Sequence, residues 1–305
     1  MNLSQLNAFL LLANGLSVTE TAKELFCTQP SVSIKIRKLE EELQTTLFER
    51  INNRLYLTPQ GKVYQKYATQ IINLIKHSSE HIRQFDDPSK GKIKFGASHF
   101  VGVYLLPQIM AHFNHLFPQV NLSMDISNST QLIHKLDNQE LEFLIMSDHI
   151  HLDPTQYHLN TFLIDPLVLI CSPEHWLAKK KNCKFSDIES EVFLIKPNHS
   201  ATRNFLLDKI NENNKKIKNI MEINSLEGIK QGVIHKLGIS IVSRLSITQE
   251  LSAGLLCEVA FDDILFSRGI RYFYHKEKYI SPATRNFLSV LQSQAEILTK
   301  DINEI

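Results

Sequence analysis

The sequence predicts an α/β protein in which a small helical domain at the amino terminus is joined by a long helix to a larger domain. A length of 305 residues corresponds to about two or three domains. Hydrophobic residues make up 43% of the chain and charged residues 21%, which supplies packed cores and shows no compositional sign of disorder. Beyond residue 91, strand-like and helix-like segments alternate, which is typical of α/β folds with mostly parallel sheets.

The first 61 residues carry the signals of short, capped helices. Apolar residues recur at helical spacing at Leu3, Leu6, Phe9, Leu10 and Ala13. Ser17 and Glu20 form a capping box, Thr28 is an N-cap, and Pro30 is tolerated in a first helical turn. Because only a short turn separates the second and third helices, this arrangement predicts a helix-turn-helix.

A hairpin and a long helix follow. Residues 50–58 place a polar tip, Asn52 and Asn53, beside a short alternating run. Pro59 then starts a helix over about 59–85. Its apolar residues lie near heptad spacing and predict a short seam, which Ser78 and His81 interrupt; they are Tyr64, Tyr67, Ile71, Leu74 and Phe85. The turn-forming stretch 86–91 ends the helix and marks a domain boundary.

The rest of the chain alternates between strands and helices. Ile93 and Phe95 begin a strand, and residues 120–126 form one of period two. Further strands are predicted at 141–146, 166–171, 192–195, 220–224, 239–243 and 270–274, and helices at 201–212, 226–236 and 283–299. This length exceeds a typical domain, so we expect two α/β lobes with a cleft between them.

Charge and cysteine content exclude several classes of protein. The 33 basic and 32 acidic side chains give a net charge of +1, so a charged partner must be recognised by a local patch. The cysteines Cys27, Cys171, Cys183 and Cys257 form no CxxC motif, which argues against a disulfide scaffold or zinc ribbon. No early basic residue marks a signal peptide, and no apolar run approaches the ~18 residues of a membrane span. We therefore expect a cytoplasmic protein without membrane partners.

Basic residues cluster in two acid-free stretches. Residues 27–39 contain Lys35, Arg37 and Lys38, and residues 50–79 contain five basic residues that include Arg50 and Arg54. Such a polarised surface suits a phosphate backbone. Small polar side chains at the start of the third helix suit base edges in a major groove. The alternative is that this segment is only a well-capped surface helix.

The amino-terminal motifs resemble the winged helix-turn-helix of LysR-type transcriptional regulators. The resemblance covers about 60 residues and is carried by the segments 17–22 (SVTETA), 28–33 (TQPSVS), 47–50 (LFER) and 57–61 (LTPQG). The remainder matches more loosely, through segments such as 104–107 (YLLP) and 238–240 (GIS). Departures from the family pattern include Gln44 and Lys236 where glycines are usual, and His99 where a small hydroxyl residue is usual.

The resemblance implies the whole architecture: a winged helix-turn-helix, a long linker helix that dimerises, and a two-lobed effector domain similar to periplasmic binding proteins of type 2. The domains implied are 1–61, 62–90 and 91–305. The chain crosses between lobes near 161–166 and 262–268, so lobe I is 91–163 with 267–305 and lobe II is 164–266. The partners implied are promoter DNA, a small-molecule effector and further copies of this chain, as a homodimer or homotetramer, with no cofactor.

The family's site positions fall on named residues of this sequence. The DNA-binding positions are Thr28, Gln29, Pro30, Ser31, Ser33, Lys35, Arg50 and Arg54. The effector-binding positions are Ser98, His99, Asn128, Ser129, Ser200, Thr202, Arg203 and Ser225. Cleft hydroxyls together with Arg203 would suit an anion such as a carboxylate or phosphate. The alternatives are plain N-capping for Ser98 and Ser225 and a solvated helix position for Arg203.

Three other functions compete with this interpretation. His149 and His151 form an HxH pair without a third ligand, and no nucleophile or phosphate-loop motif occurs, so we expect neither a metal site nor an enzyme. A free solute-binding protein would not carry the helix-turn-helix. A redox sensor of the same family would use Cys171 or Cys183, but neither has an identifiable partner in the sequence, so structural thiols are favoured.

Overall fold

In the computed structural model the chain forms an amino-terminal helical domain, a long helix and an α/β domain. The structure describes residues 1–52, 54–86, 89–198 and 200–303, and for residues 77, 80, 81, 83–86 and 299–303 it describes the backbone alone. Some sequence predictions therefore lie outside the described residues: Asn53 at the hairpin tip, the boundary residues 87 and 88, and the side-chain roles of His81 and Phe85.

Three helices and a hairpin form the amino-terminal domain. They are α1 (Leu3–Ala13), α2 (Val18–Glu24), α3 (Gln29–Leu43), β1 (Phe48–Ile51) and β2 (Arg54–Leu57). The capping box is present, since the Ser17 amide donates to Glu20 Oε2 at 2.8 Å and the Glu20 amide to Ser17 Oγ at 3.2 Å. Phe9 of α1, Ala22 of α2 and Leu39 of α3 are buried in one apolar cluster, so the three helices share one core.

The long helix α4 (Pro59–Asp86) begins where Thr58 Oγ1 accepts from the Gly61 amide at 2.9 Å. Ala68 and Ile72 pack into the core of the amino-terminal domain. Other apolar side chains of the helix are exposed: Val63, Tyr67, Leu74, Ile75 and Ile82. A helix with apolar residues on more than one face is suited to pack against a second partner.

The α/β domain follows with alternating elements. In chain order these are β3 (Lys90–Ser98), α5 (Leu106–Leu116), β4 (Gln119–Ser127), α6 (Ser129–Asp137), β5 (Leu144–Ser147), β6 (Tyr157–Cys171), β7 (Asn182–Cys183), α7 (Phe185–Ile188), β8 (Val192–Ile195), α8 (Ala201–Glu212), β9 (Asn219–Glu222), α9 (Leu226–Ile234), β10 (Ser240–Ser243), α10 (Thr248–Ser252), β11 (Cys257–Phe261), β12 (Ser267–His275) and α11 (Pro282–Asn303).

Two lobes are joined by the long strand β6. In lobe I the order is β4-β3-β5-β12-β6, and β12 pairs with β6 from Tyr157 to Pro166. In lobe II the last residues of β6, from Leu167 to Cys171, pair instead with β10 and β11. Each lobe has its own apolar core, centred on Phe95 and neighbouring rings in lobe I and on the segment around Phe185 in lobe II.

The prediction of mostly parallel sheets was wrong. Strands β4, β3 and β5 are parallel, but β12 is antiparallel to both β5 and β6, and β10 and β11 are antiparallel to β6. The reason is the double crossing between lobes. Strand β6 leads the chain out of lobe I and β12 leads it back, so the two strands run in opposite directions.

Among the described residues, none of the helices combines the length and apolar character that a bilayer crossing requires.

Candidate nucleic-acid interface and inter-lobe cleft

The first turn of α3 presents small polar groups to solvent. Thr28 Oγ1 accepts from the Ser31 amide at 3.4 Å, and Pro30 occupies the first turn, where a missing amide costs no helical hydrogen bond. Thr28, Gln29, Pro30 and Ser33 are exposed. This end of the helix therefore has both the shape and the hydrogen-bonding groups that a major groove accepts.

Four of the predicted contact residues bond to one another in pairs within α3. Lys35 Nζ donates to Ser31 Oγ at 3.0 Å, and Ser33 Oγ donates to the Gln29 carbonyl at 3.3 Å. Both bonds are short-range and lie at the surface. Their exchange for base or phosphate groups therefore leaves the helix intact.

The acidic residues of this domain are held away from the first turn of α3. Hydrogen bonds from Ser17 lower the pKa of Glu20 and keep its carboxylate at the start of α2. Glu40 Oε1 accepts from the Leu47 amide at 2.7 Å, and Glu42 accepts from Gln5 Nε2 at 3.4 Å. Three of the six carboxylates that balance the charge of this domain are thus used in internal bonds away from the first turn of α3.

The hairpin register separates the two predicted wing arginines. Arg50 pairs with Leu55, and Ile51 pairs with Arg54. Because opposite residues share a face and successive residues alternate, Arg50 lies on the core-facing side with Leu57 and Arg54 on the other side. The two guanidinium groups therefore approach a duplex from different sides of the hairpin.

A small cavity lies between the two lobes. Its volume is about 40 Å³. The polar and charged side chains that line it are Lys196, Thr202, Arg203, Ser240, Ser243 and Arg268, and Phe100 contributes an aromatic wall. The cavity has room for little more than ordered water, whereas metabolite pockets are ~300 Å³ or larger. The lobes are therefore closed on each other.

Arg268 connects both lobes at this cavity. Its Nε donates to Asp165 Oδ2 at 2.8 Å, its Nη1 donates to Thr202 Oγ1 at 3.1 Å, and its guanidinium lies 4.8 Å from the Phe100 ring centroid. Ser243 Oγ also donates to Asp165. Burial raises the pKa of the Asp165 carboxyl, and Arg268 and Ser243 oppose that rise. Arg268 is thus the charged partner of the buried Asp165 carboxyl, and Ser243 adds a neutral hydrogen bond.

Lys196 adds a second positive charge that lacks a counter-ion. Within the described ranges, no carboxylate lies within salt-bridge distance of its Nζ. Burial, and then repulsion from Arg268, lower its pKa. Burial and Lys196 likewise lower the pKa of His99. A half-buried cation without a partner is costly, so this wall of the cleft favours a negatively charged ligand.

Sequence reasoning missed Lys196 and Arg268. Arg268 lies within the predicted crossing at 262–268, and a basic residue at a crossing point is the signal by which it could have been found. Lys196 directly follows the buried strand β8 and precedes Pro197, a position where a basic residue is unusual. Arg268 and Lys196 each acquire a role in the cleft only because folding brings them next to residues that are distant in the chain.

Arg203 is buried rather than solvated. Its side chain is in contact with lobe II backbone and acid: Nη1 donates to the Lys196 carbonyl at 3.0 Å and to Glu222 Oε1. The alternative of a solvated helix residue was therefore wrong. Its Nε has no hydrogen-bond partner among the described groups, so one donor of the guanidinium is still available.

The other predicted effector residues do not line the cavity. Asn128 and Ser225 are N-caps that accept from the amides of Gln131 and Gly228, both at 2.9 Å, and Ser200 caps α8. Ser98 ends β3 beside His99, and Ser129 starts α6. His99 and Phe100, directly after Ser98, are α-helical and lead into a π-helical turn from Val101 to Leu105, so a helix begins where the sequence predicted one.

A second inter-lobe contact involves Tyr104 and α9. The Tyr104 hydroxyl donates to Glu227, and Lys230 Nζ lies 5.0 Å from the Tyr104 ring centroid. Burial, and the bond to Glu227, raise the pKa of Tyr104 to about 12. The phenol is therefore protonated throughout the physiological range and serves as a neutral donor between the lobes.

The histidine pair and the cysteines have structural surroundings. His149 Nδ1 is 2.7 Å from Ser147 Oγ, and the described residues contain no cluster suited to a metal ion. Cys257 lies opposite Cys171 in adjacent antiparallel strands. Burial raises the pKa of Cys171 to about 12 and that of Cys183 to about 11. Thiols of this kind carry little reactive thiolate at neutral pH, which disfavours redox sensing.

Comparison with known proteins identifies the two parts of the chain. Residues 3–62 match the family model of the bacterial regulatory helix-turn-helix protein, lysR family, and residues 86–296 match the LysR substrate binding domain. The chain belongs to the LysR family of transcriptional regulators. Its function is thus DNA-binding regulation of transcription, and the fold class expected from the sequence is confirmed.

This LysR-type regulator has full-length relatives and structural neighbours. A probable RuBisCO transcriptional regulator of Thalassiosira pseudonana is 31% identical over 298 residues, which cover 95% of this chain and 96% of that protein. A full-length OxyR variant from Pseudomonas aeruginosa has a TM-score of 0.72 at 20% identity, covering 97% and 95% of the two chains. Full-length CbnR complexed with its target DNA has a TM-score of 0.71 at 18% identity, covering 97% and 100%.

Proposed function

We propose that this regulator binds promoter DNA as a homo-oligomer and that a small anion in the inter-lobe cleft controls this binding. The observation that carries the proposal is the excess positive charge at the cavity wall, where Arg268 is paired with Asp165 and Lys196 has no carboxylate within salt-bridge distance among the described residues. An anionic effector would supply the missing negative charge.

The DNA-binding part of the proposal rests on the basic face of the amino-terminal domain. Its contacts are proposed at Thr28, Gln29, Pro30, Ser31, Ser33, Lys35, Arg50 and Arg54. The first turn of α3 reaches base edges, and the hairpin arginines bind phosphates on either side. The similarity to full-length CbnR, whose structure contains its target DNA, supports the same mode here.

The effector part places the anion at Lys196, Arg268, Thr202 and Arg203. A cavity of about 40 Å³ is too small for a metabolite, so entry of the effector must separate the lobes. His99, Ser98, Ser129 and the capping residues Asn128, Ser200 and Ser225 are proposed to contact the effector at the rim of the widened cleft. Binding therefore shifts the lobes from the closed arrangement toward a more open one.

The remaining features complete the proposal. The exposed apolar residues of α4 are suited to pair with the same helix of a second copy. We propose the divisions 1–61, 62–90 and 91–305 as DNA-binding, linker and effector regions. We further propose a cytoplasmic location and no catalytic activity, because the chemistry of the cleft is that of charge recognition.

The effector site is tested by removing one cation without disturbing a charge pair. Lys196→Met takes away an unpaired, half-buried ammonium group, so we expect the variant to fold with unchanged or higher stability. In wild-type protein, phosphate, sulfate or succinate at matched ionic strength should raise the thermal midpoint, by about 2–4 °C for each kcal/mol of binding energy. Lys196→Met should lose that rise.

Lys181→Met is the matched control, since it removes an exposed lysine of the same lobe. It should respond to the anions as wild-type protein does. Equal midpoint shifts in all three proteins would contradict an anion site at Lys196.

A further inference from the structure

The turn between α2 and α3 contains an unusual exposed aromatic residue. Phe26 is 97% exposed and has a backbone φ of 50°. Its amide donates to the Lys23 carbonyl at 3.1 Å, and the next amide, of Cys27, donates to the Ala22 carbonyl at 2.9 Å. This pair of bonds defines a Schellman motif, in which the left-handed position occupied by Phe26 favours glycine.

A phenylalanine at this position is unfavourable for the folded domain in two ways. The left-handed conformation crowds the side chain of any residue that has a Cβ, and a bulky side chain most of all. The ring also contacts water over nearly its whole surface. Residues that combine a strained backbone with an exposed apolar side chain are concentrated at binding sites.

The other left-handed residues of the chain show how differently Phe26 behaves. The described residues contain five more non-glycine examples, and all are polar: Gln44, Asn52, Gln139, Asn214 and Lys236. Gln44 ends α3 with the same motif, since its amide donates to the Glu41 carbonyl at 3.2 Å and the Thr45 amide to the Glu40 carbonyl at 3.1 Å. A polar side chain at such a site is solvated by water, whereas the ring of Phe26 needs an apolar partner.

The position of Phe26 indicates which partner that is. It lies two residues before Thr28, the N-cap of the helix whose first turn is proposed to enter the major groove. Two residues span at most ~7 Å, so a duplex that receives this turn comes within reach of the ring. The apolar group displayed in a major groove is the C5-methyl of thymine, which aromatic side chains contact.

We propose that the Phe26 ring packs against a thymine methyl beside the bases read by the first turn of α3. Phe26 is then a specificity-determining residue, which favours thymine at one position of the site. This inference rests on the proposed docking of α3 and adds a residue and a base preference to it.

The test combines a protein change with a DNA change. The duplex is one selected from a random pool by the full-length wild-type protein, and a second duplex carries deoxyuridine in place of every thymidine of the protected region. Wild-type protein should bind the deoxyuridine duplex about fourfold more weakly, as expected for one buried methyl. Phe26→Gly should bind the thymidine duplex about tenfold more weakly than wild type and should not distinguish the two duplexes.

Gln44→Gly is the matched control, because it relieves the same backbone conformation at the opposite end of α3. It should bind both duplexes as wild-type protein does. Thermal unfolding of the three proteins separates contact from folding: both glycine variants should unfold at or above the wild-type midpoint, since glycine adopts this conformation without a clash.

Each contrary result has a distinct meaning. Equal affinity of Phe26→Gly and wild type for the thymidine duplex would overturn the inference and leave the docking of α3 intact. The same holds if Phe26→Gly weakens binding but both proteins lose equally on deoxyuridine, or if it unfolds at a lower midpoint. Failure of the wild-type protein to select any sequence would instead refute the proposed docking.

Discussion

At the scale of single residues, His149 shows how closure of the lobes affects ionisation. Its ring centroid lies 5.5 Å from that of Phe205 on α8, so residues of both lobes enclose it. Burial, reinforced by the positive charge of Arg268, lowers the pKa of His149 to about 4. The closed structure therefore holds this imidazole neutral.

This lowered pKa predicts a specific loss of stability in acid. In the unfolded chain the pKa of His149 is about 6.5, so below that pH the unfolded chain binds a proton at this residue and the folded protein does not. The free energy of unfolding therefore falls between about pH 6.5 and pH 4. One such group changes the free energy of unfolding by at most ~1.4 kcal/mol per pH unit. His149→Gln should lack this contribution, so the difference between wild type and variant changes across that window.

Urea unfolding followed by the fluorescence of Trp176, the single tryptophan, measures this difference at each pH. The carboxylates Asp125 and Glu227 have lowered pKa values, so their stabilising contribution is lost at more acidic pH and is common to both proteins. His151→Gln changes an exposed neighbour and should follow wild type. Parallel curves for wild type and His149→Gln would show that His149 titrates normally.

Residue chemistry was predictable from sequence only where it depended on neighbours in the chain. The caps at Ser17 and Thr28 were anticipated because a capping bond spans three residues. The role of Arg268 was not, because it depends on Asp165, Thr202 and Phe100, which the fold brings together from far apart.

At the scale of elements, helix α4 connects the two domains through specific bonds. Gln70 Nε2 donates to the Asp137 carbonyl at 2.9 Å, and Asn73 Nδ2 donates to the Asn138 carbonyl at 2.8 Å. Residues three apart lie on one helix face, so both amides reach the carboxyl end of α6 together. This contact provides a physical link between the DNA-binding region and lobe I.

We expect the double variant Gln70→Ala/Asn73→Ala to weaken communication between the domains. In wild-type protein, bound DNA should raise the unfolding midpoint reported by Trp176 in lobe II, because stabilisation of one domain is transmitted through the contact. The double variant should lose at least about half of that rise while it binds DNA with nearly wild-type affinity.

Gln65→Ala serves as control on the same helix, since Gln65 bonds instead to Asn14 of the amino-terminal domain at 3.2 Å. The Gln65→Ala variant should retain the rise in unfolding midpoint that bound DNA causes. An unchanged rise in the double variant would mean that the two amide bonds play no part in coupling.

Element positions were predicted well where the pattern was local and poorly where pairing was distant. The helix predicted over 201–212 and the strand over 192–195 have the observed bounds. Strand β6 was expected only from 166, but it begins at Tyr157. Its first half is rich in polar residues and precedes Pro166, and β12, more than 100 residues later, supplies its partner.

At the scale of the whole molecule, a net charge of +1 means that attraction to DNA comes from one face alone. The slope of log affinity against log salt concentration should therefore reflect the number of basic side chains on that face that contact phosphates. Arg54→Gln should reduce the slope by about 1 and weaken all sequences alike. Gln29→Ala should leave the slope unchanged and relax the preference at one base pair, by roughly 1–3 kcal/mol.

Fluorescence anisotropy with a selected and a scrambled duplex across several salt concentrations distinguishes the two variants. If Gln29→Ala altered the salt slope, or Arg54→Gln altered the choice of sequence, the division between base and phosphate contacts would be refuted. Two lobes were expected from the length of the α/β region, but the positions of the crossings were predicted from family resemblance, since strand and helix patterns alone do not reveal which strands cross between lobes.

The number of chain crossings has a consequence for engineering. Strands β6 and β12 both connect the two lobes, so lobe I is built from two separate stretches of the chain, before and after lobe II, and cannot be cut out as one gene segment. The helical domain and α4, by contrast, precede the lobes in one unbroken stretch ending before β3. A chimera that fuses residues 1–86 to another effector module is thus feasible with one junction, provided that acceptors for Gln70 and Asn73 are rebuilt.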